Sequence, residues 1–283
     1  MLSQARENLR KDNRAVSPAI STVIMTAAIV VLVLVAITYA NSSLTNQIAG
    51  DEFSASKQFM QSTGLQIDNV AWTIGRTETV DYTANYGQVT FVPNVISYTF
   101  QIYKGNSWQT LYSCTTGMIL FNMPVRDYSL GNNYFSRIMP VDSGSFLQWN
   151  ASASVSQIFA TQKVPMQDGS YARIVAVPTV RVLNSALVTG VSDYEFYLPC
   201  LVSGTNQYHS QSVTLTGSSL TNLTPSGTIT QVRISATAVS NSPTGFNNAF
   251  FNFDSTSETI VIPSGASTEF YIGTVEVSIG MAS

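Results

Sequence analysis

An uncharged run near the start of the chain, residues 19–40, limits what the chain can fold into more than any other feature. It reads AISTVIMTAAIVVLVLVAITYA. As an α-helix it would be ~33 Å long, which is enough to cross a hydrocarbon core of ~30 Å. Tyr39 stands near its end, where an amphipathic ring suits the membrane interface. The run therefore predicts a membrane-spanning helix.

The charges before this run predict its orientation. Residues 1–15 hold four basic and two acidic side chains, so net positive charge flanks the N-terminal side of the run. We therefore expect the N-terminus in the cytoplasm and the rest of the chain outside. No other basic cluster stands out, and the net charge is −3, so we expect no nucleic-acid partner.

The residues just before the run favour a defined helix start. Ser17 suits the N-cap position, and Pro18 then occupies the first helical position, where a missing N–H is harmless. An ordinary secretory signal peptide would have a shorter apolar core, followed by a small-x-small cleavage site. A plain signal anchor would need only the apolar run. The residues that precede the run decide between these classes.

Residues 14–25, RAVSPAISTVIM, resemble the start of archaeal type IV pilin precursors. Members of that family carry a short basic leader, then a basic residue followed by Gly or Ala, then a hydrophobic helix that often opens with Ser-Pro. The resemblance implies that a prepilin-type peptidase cuts after Arg14-Ala15, before Val16, on the cytoplasmic side. The hydrophobic helix would stay in the mature protein. The resemblance is confined to the leader and this helix.

The resemblance also implies partners and a location. We expect the mature chain to form a helical homo-oligomer with the help of the pilus assembly machinery, first in the membrane and then as an extracellular filament. One residue departs from the family pattern. Many type IV pilins have Glu as the fifth mature residue, whereas this chain has Ile20. Apolar packing would therefore have to set the register between helices.

The helix is expected to continue beyond the membrane. No proline occurs between Pro18 and Pro93, and apolar residues recur at steps of three and four up to Ile74. Gly75 is suited to end the helix. We therefore predict three regions: a cleavable leader over 1–15, a long helix over 16–75 with its anchor at 19–40, and an extracellular head over 76–283.

The sequence pattern of the head, residues 76–283, is typical of a β-domain. Only 10% of all residues are charged, and Gly, Asn, Ser and Pro clusters separate short strand-like runs. The predicted strands are 78–82, 88–92, 97–103, 109–113, 118–122, 171–177, 194–198, 211–215, 229–234, 259–262 and 268–278. The predicted fold class is α+β, with one long hydrophobic helix and an antiparallel β-sandwich-like head of one or two sub-domains.

Few residues in the head suggest a site. Cys114 and Cys200 could form a disulfide in an exported chain, or could be two buried thiols. Three N-x-S/T sequons, at Asn41, Asn150 and Asn222, are possible N-glycosylation sites. His209 is the single histidine, and one histidine cannot build a His-rich metal site.

Taken together, these patterns predict a structural protein. No Walker A loop, HExxH, GxSxG or CxxC motif occurs, so we expect no enzyme activity and no cofactor or metal. The first hypothesis is a subunit of a type IV pilus-like filament with a role in adhesion at the cell surface. The alternative is a membrane-anchored monomeric surface protein, or a minor pilin-like adhesin, that binds a glycan or a protein.

Overall fold

The computed structural model describes residues 2–149, 152–186, 192–204, 211–239 and 245–280, with side chains from Ile20 onward. It confirms the predicted α+β class, since one long N-terminal helix precedes a large domain of mostly antiparallel sheets. The chain divides into two compact units, Met1–Ala49 and Gly50–Ser283. The division expected from the sequence lies after residue 75. The structure instead groups residues 50–75 with the strands.

The long helix, α1, covers Leu2–Ala71. It therefore begins before Ser17 and Pro18, in contrast to the predicted helix start. The leader is rich in Leu, Gln, Arg, Glu and Lys, which favour helix, and Pro18 removes only one intrahelical hydrogen bond. The chain leaves α1 earlier than predicted, and Gly75 then adopts a φ of 80°, where glycine is favoured. The N–H of Gly75 donates to the carbonyl of Gly217 at 2.7 Å.

Thirteen strands and one short helix follow α1 among the described residues. In chain order they are β1 Thr77–Asp81, β2 Gln88–Lys104, β3 Ser107–Pro124, β4 Tyr134–Met139, β5 Leu147–Gln148, β6 Ser156–Gln162, β7 Tyr171–Pro178, β8 Val180–Ala186, β9 Ser192–Ser203, β10 Ser212–Leu223, β11 Gln231–Ala238, α2 Asn248–Phe251, β12 Ser257–Val261 and β13 Ser267–Ile279.

The strands form two sheets. The six-stranded sheet has the order β1-β10-β13-β9-β8-β5, and the seven-stranded sheet has the order β12-β11-β2-β3-β7-β6-β4. Two neighbouring pairs, β13 with β9 and β5 with β8, are parallel, and the other described pairs are antiparallel. A single residue, Thr179, separates β7 from β8, so the chain passes directly from one sheet into the other.

The main core lies between the two sheets. It contains Phe100 from the seven-stranded sheet and Phe196 and Phe270 from the six-stranded sheet, all fully buried. The rings of Phe196 and Phe270 stack with centroids 4.7 Å apart, and Phe100 meets Phe270 edge-on at 5.6 Å. Aromatic packing of this kind adds to the free energy gained from burial.

Residues 50–71 of α1 form a second packed region on the faces of the sheets that point away from this core. Phe53 is fully buried and its ring lies 6.3 Å from that of Phe121. Along β6, Phe159 belongs to the main core, while the preceding residue, Ile158, lies against Gly64 of the helix. Strands of the seven-stranded sheet are thus buried on both faces, which explains why β6 shows no alternation of polar and apolar residues.

Candidate membrane and assembly surface

The apolar part of α1 is exposed on all sides. Every side chain from residue 20 to residue 42 is exposed. The most apolar 18-residue window of the helix has a mean hydropathy of 2.9, so it is long and apolar enough to cross a membrane or to act as a signal sequence. The exposed fractions of Val31, Leu32 and Val35 are 58%, 67% and 60%. In water an apolar surface of this kind has to be covered by lipid or by protein.

The polar groups of this segment fit an apolar surrounding. Thr26 donates its hydroxyl to the carbonyl of Thr22 at 2.9 Å, and Thr38 donates to the carbonyl of Leu34. Each hydroxyl is therefore satisfied within the helix and needs no water. Thr22, Thr26 and Ala28 are also small enough to permit close approach of a second helix.

The predicted cleavage residues, Arg14, Ala15 and Val16, lie within the backbone range of α1. Their side chains, and those of Ser17 and Pro18, are outside the described part of the structure. Cleavage before Val16 therefore stays a prediction.

Glu52 joins the helix to the strand domain in a way that the sequence did not reveal. Glu52 as a whole is 8% exposed, and its carboxylate accepts hydrogen bonds from three consecutive backbone N–H groups. Asn85 donates at 2.8 Å, Tyr86 at 3.0 Å and Gly87 at 2.8 Å. Charge-assisted bonds of this kind are stronger than neutral ones. Glu52 thus fixes the loop between β1 and β2 to α1.

Asp68 forms a second connection, near the end of α1. It accepts hydrogen bonds from the Arg181 guanidinium and from the Trp72 indole, both at 2.7 Å. The Arg181 guanidinium also lies 5.0 Å from the ring centroid of Tyr197. Because Arg181 is on β8 and Tyr197 is on β9, this cluster holds the end of the helix on the six-stranded sheet.

Glycines allow α1 to approach both sheets closely. A Cβ atom at Gly273 would lie 2.2 Å from the carbonyl oxygen of Ala71, and one at Gly217 would lie 2.3 Å from that of Val70. On the helix itself, a Cβ atom at Gly64 would lie 2.6 Å from the Ser156 hydroxyl. A side chain at Gly217 or Gly273 would meet helix backbone, so these glycines let the end of α1 lie directly on β10 and β13. At Gly64 a side chain would displace the side chains of Ser156 and Ile158.

A repeated segment forms an aromatic row on the outer face of the six-stranded sheet. The tripeptide Glu-Phe-Tyr occurs at 195–197 and 269–271, and the parallel pairing of β9 and β13 places the two copies side by side in register. The rings of Tyr197 and Tyr271 stack with centroids 4.8 Å apart, and Trp72 meets Tyr197 edge-on at 5.1 Å. The repeat was missed in the sequence because its copies are short and far apart.

The carboxylates beside this row hold the tyrosine hydroxyls. Tyr271 donates to Glu269, and this bond, together with burial, raises the pKa of Tyr271 to about 12. Tyr197 donates to Glu195 at 2.7 Å. Burial, followed by this hydrogen bond, raises the pKa of Tyr197 above its ordinary range.

The structure brings the two cysteines together. Cys114 on β3 and Cys200 on β9 have Cα atoms 7.1 Å apart, and their sulfur atoms are placed for a disulfide. The bond would connect the seven-stranded sheet to the six-stranded sheet. Whether the pair is oxidised in the cell stays a prediction that a mass measurement decides.

Two of the three sequons can be located. Asn41 is exposed on α1, and Asn222 is exposed near the end of β10. The third, Asn150, lies outside the described residues, as does His209. The structure therefore places one sequon on the apolar helix and one on the strand domain.

The described part of the chain contains a cleft but no cluster of metal-ligating side chains. None of its His, Cys, Asp and Glu side chains cluster in threes as metal ligands. A cleft of about 670 Å³ opens between the start of β2 and the end of β13, and its described lining is uncharged. Glu269 and Glu195 are engaged with tyrosines, as described above.

The comparisons with known proteins gave no match. No family model, no curated protein and no solved structure is similar enough to this chain to count as a relative.

Proposed function

We propose that this chain is a structural subunit of an extracellular type IV pilus-like filament that is held in the membrane by α1 before assembly. The observation that carries the proposal is the apolar segment of α1, whose side chains are exposed on all sides over residues 20–42. Lipid covers this surface before assembly. In the filament, the helices of neighbouring copies cover it.

The leader supports this proposal. A basic segment followed by Arg14-Ala15-Val16 and an apolar helix is what a prepilin-type peptidase would process, with the helix retained. The small residues Thr22 and Ala28 allow helices to pack closely once they leave the bilayer. Assembly by apolar packing also agrees with Ile20 in place of the Glu found in many pilins.

The contacts between residues 50–71 and the sheets support a role in transmitting force along a filament. Glu52, Phe53 and Asp68 fix this part of α1 to the strand domain through hydrogen bonds, burial and an ion pair. A filament subunit needs such a connection, because force along the filament passes from its helical core to the surface domain.

The alternative function is a membrane-anchored monomeric adhesin. The large strand domain favours this alternative, and so does its outer row of Tyr197, Tyr271 and Trp72, which are half-buried. Aromatic side chains that stay partly accessible are enriched in binding surfaces. In this alternative the exposed helix stays in lipid permanently.

Substitutions in the apolar helix separate the two functions. Thr22→Trp and Ala28→Trp introduce a side chain that a bilayer accepts but that closely packed helices cannot accommodate. We expect both variants to reach the membrane in normal amounts and to form no filaments. Surface filaments are observed by electron microscopy, and membrane protein is measured by immunoblot in the same cells.

Tyr39→Trp is the matched control, because it introduces the same side chain at an aromatic position of the same helix and should leave filaments intact. Normal filaments from both the Thr22→Trp and the Ala28→Trp variant would refute the proposal that this chain is a filament subunit. So would wild-type filaments that lack this protein, and the anchored adhesin would then take its place.

A further inference from the structure

The exposed asparagine at the end of β10 has an aromatic neighbour across the sheet. Asn222 pairs directly with Tyr271 of the antiparallel strand β13. Residues paired in this way point to the same face of a sheet. Tyr271 is on the outer face, because the preceding residue, Phe270, belongs to the main core. The Asn222 amide and the Tyr271 ring therefore stand side by side on the outer face.

One face of the Tyr271 ring is turned toward Asn222. Tyr271 and Tyr197 lie on neighbouring strands and stack at 4.8 Å with an angle of 10° between their planes. Because neighbouring strands are ~4.8 Å apart, the rings stand upright, with their faces directed along the row. Tyr197 covers one face of Tyr271. The other face is directed toward β10, where Asn222 stands.

The row is closed at its other end. The far side of Tyr197 is covered by the Arg181 guanidinium, 5.0 Å from the ring centroid, and Trp72 lies edge-on to the same ring. Among the described residues, no other ring or cation is paired with Tyr271. The open ring face in this row is therefore the one next to Asn222.

Asn222 is also available for modification. Its side chain is exposed and makes no hydrogen bond to any described residue, and Thr224, which completes the sequon, is exposed as well. The strand β1 pairs with Ser212–Thr216 only, so it does not cover the Asn222 end of β10. The acceptor nitrogen thus lies at an open sheet edge, one residue before the strand ends.

We propose that Asn222 carries an N-linked oligosaccharide whose first sugar packs on the open face of Tyr271. A pyranose ring presents C–H groups on one face, and these suit the electron-rich face of a tyrosine. The amide nitrogen of Asn222 attacks the anomeric carbon of a sugar donor that is linked to a lipid phosphate. A C–N bond forms, the C–O bond to the phosphate breaks, the lipid phosphate leaves with that oxygen, and the amide nitrogen loses one proton. The proposal rests on the export that the filament function requires.

The experiment uses the full chain extracted from the membranes of the cells that make it. Peptide mass spectrometry locates the oligosaccharide in the wild type, in Asn222→Gln and in Thr224→Ala. We expect a glycan on the wild-type peptide and none on either variant. Thr224→Ala keeps the asparagine, so it separates loss of the sequon from loss of the amide.

A double-mutant cycle then tests the position of the first sugar. Loss of the glycan in Thr224→Ala should lower the thermal midpoint by about 2–4 °C, as expected for losing one weak contact in a chain of this size. In the Tyr271→Ala background, the same loss of glycan should leave the midpoint unchanged. If loss of the glycan lowered the thermal midpoint equally with and without Tyr271→Ala, the proposed packing of the first sugar on Tyr271 would be overturned.

An unmodified Asn222 in chains whose leader has been removed would overturn the modification itself. The two proposals fail separately. A glycan on Asn222 in cells without filaments would refute only the filament, whereas filaments built from chains with unmodified Asn222 would refute only the glycan.

Discussion

At the residue scale, the connection between α1 and the loop that joins β1 to β2 depends most on the carboxylate of Glu52. Its oxygens accept the backbone N–H groups of residues 85–87, which have no other described acceptor. Glu52→Gln removes the charge and turns an amide donor toward these donors. We expect the free energy of unfolding to fall by about 2 kcal/mol, measured by denaturant titration.

Asp51→Asn is the matched control for this substitution. Asp51 is the neighbouring carboxylate, and it is exposed to solvent. Its substitution should change the free energy of unfolding by about 0.5 kcal/mol or less. If both variants lost a similar free energy of unfolding, Glu52 would act through the overall charge of the helix and not through its hydrogen bonds to the loop.

The phenol of Tyr271 should make the fold sensitive to alkali. Its folded pKa of about 12 is above the ordinary value of 10, because it donates to Glu269. The folded chain holds this proton more tightly than the unfolded chain. The contribution of the protonated phenol to the free energy of unfolding is therefore complete below pH 10 and is lost between pH 10 and 12. Tyr271→Phe should flatten the fall in stability over this interval and leave the slope at pH 7–9 unchanged.

At the scale of elements, the glycines beneath the end of α1 set how closely helix and sheet approach. In Gly273→Ala, the new Cβ would meet the backbone of Ala71 at 2.2 Å, so the helix end has to move. We expect a loss of about 2 kcal/mol in the free energy of unfolding, measured by denaturant titration.

Gly50→Ala, a substitution within α1 itself, should have the opposite effect on stability. A Cβ there meets nothing closer than the Tyr128 ring at 3.4 Å. The substitution should stabilise the protein by up to about 1 kcal/mol, because alanine favours helix. A stabilising Gly273→Ala would contradict the close contact between α1 and β13.

The pair of sheets should be joined covalently through Cys114 and Cys200. Non-reducing intact mass should be lower by two hydrogen masses than the mass of the reduced chain, with no thiol open to alkylation. Reduction should lower the free energy of unfolding by about 4–5 kcal/mol in the chain-entropy model, because the closed loop is long. The double variant Cys114→Ser/Cys200→Ser should not respond to reductant, and two alkylatable thiols in the native protein would refute the bond.

For the whole molecule, removal of the leader is the event that would precede assembly. We expect a mature N-terminus at Val16, determined by N-terminal sequencing, with the apolar helix retained. Arg14→Glu should leave the uncut precursor in the membrane. Arg10→Glu makes the same charge change away from the cut and should be processed. A mature start beyond residue 40 would exclude a prepilin-type leader.

The sequence predicted the elements better than their arrangement. Local periodicity was enough to find α1 and strands such as β7. The runs 88–92 and 97–103 were predicted as two strands, whereas they form one strand, β2, with an irregularity between Val92 and Ile96. The strands β4, β5, β6 and β8 were missed. In β6 the cause is physical, because burial on both faces removes the alternation on which strand prediction depends.

The contacts of the candidate surfaces were less predictable. The apolar helix and the sequon at Asn222 follow from sequence patterns, whereas the exposure of Asn222 is seen only in the structure. The role of Glu52 does not, since its partners lie more than thirty residues away and are backbone groups. The tyrosine row depends on the parallel pairing of β9 with β13, which no local pattern specifies.

The packing of residues 50–71 decides how a soluble antigen should be prepared from this protein. A truncated chain that starts at residue 76 would lack Phe53, Met60, Ile67 and Val70, all of which are fully buried. It would expose apolar sheet faces and aggregate. A truncated chain that starts at Gly50 keeps these side chains and omits the membrane segment. Antibodies raised against it should recognise the natural surface.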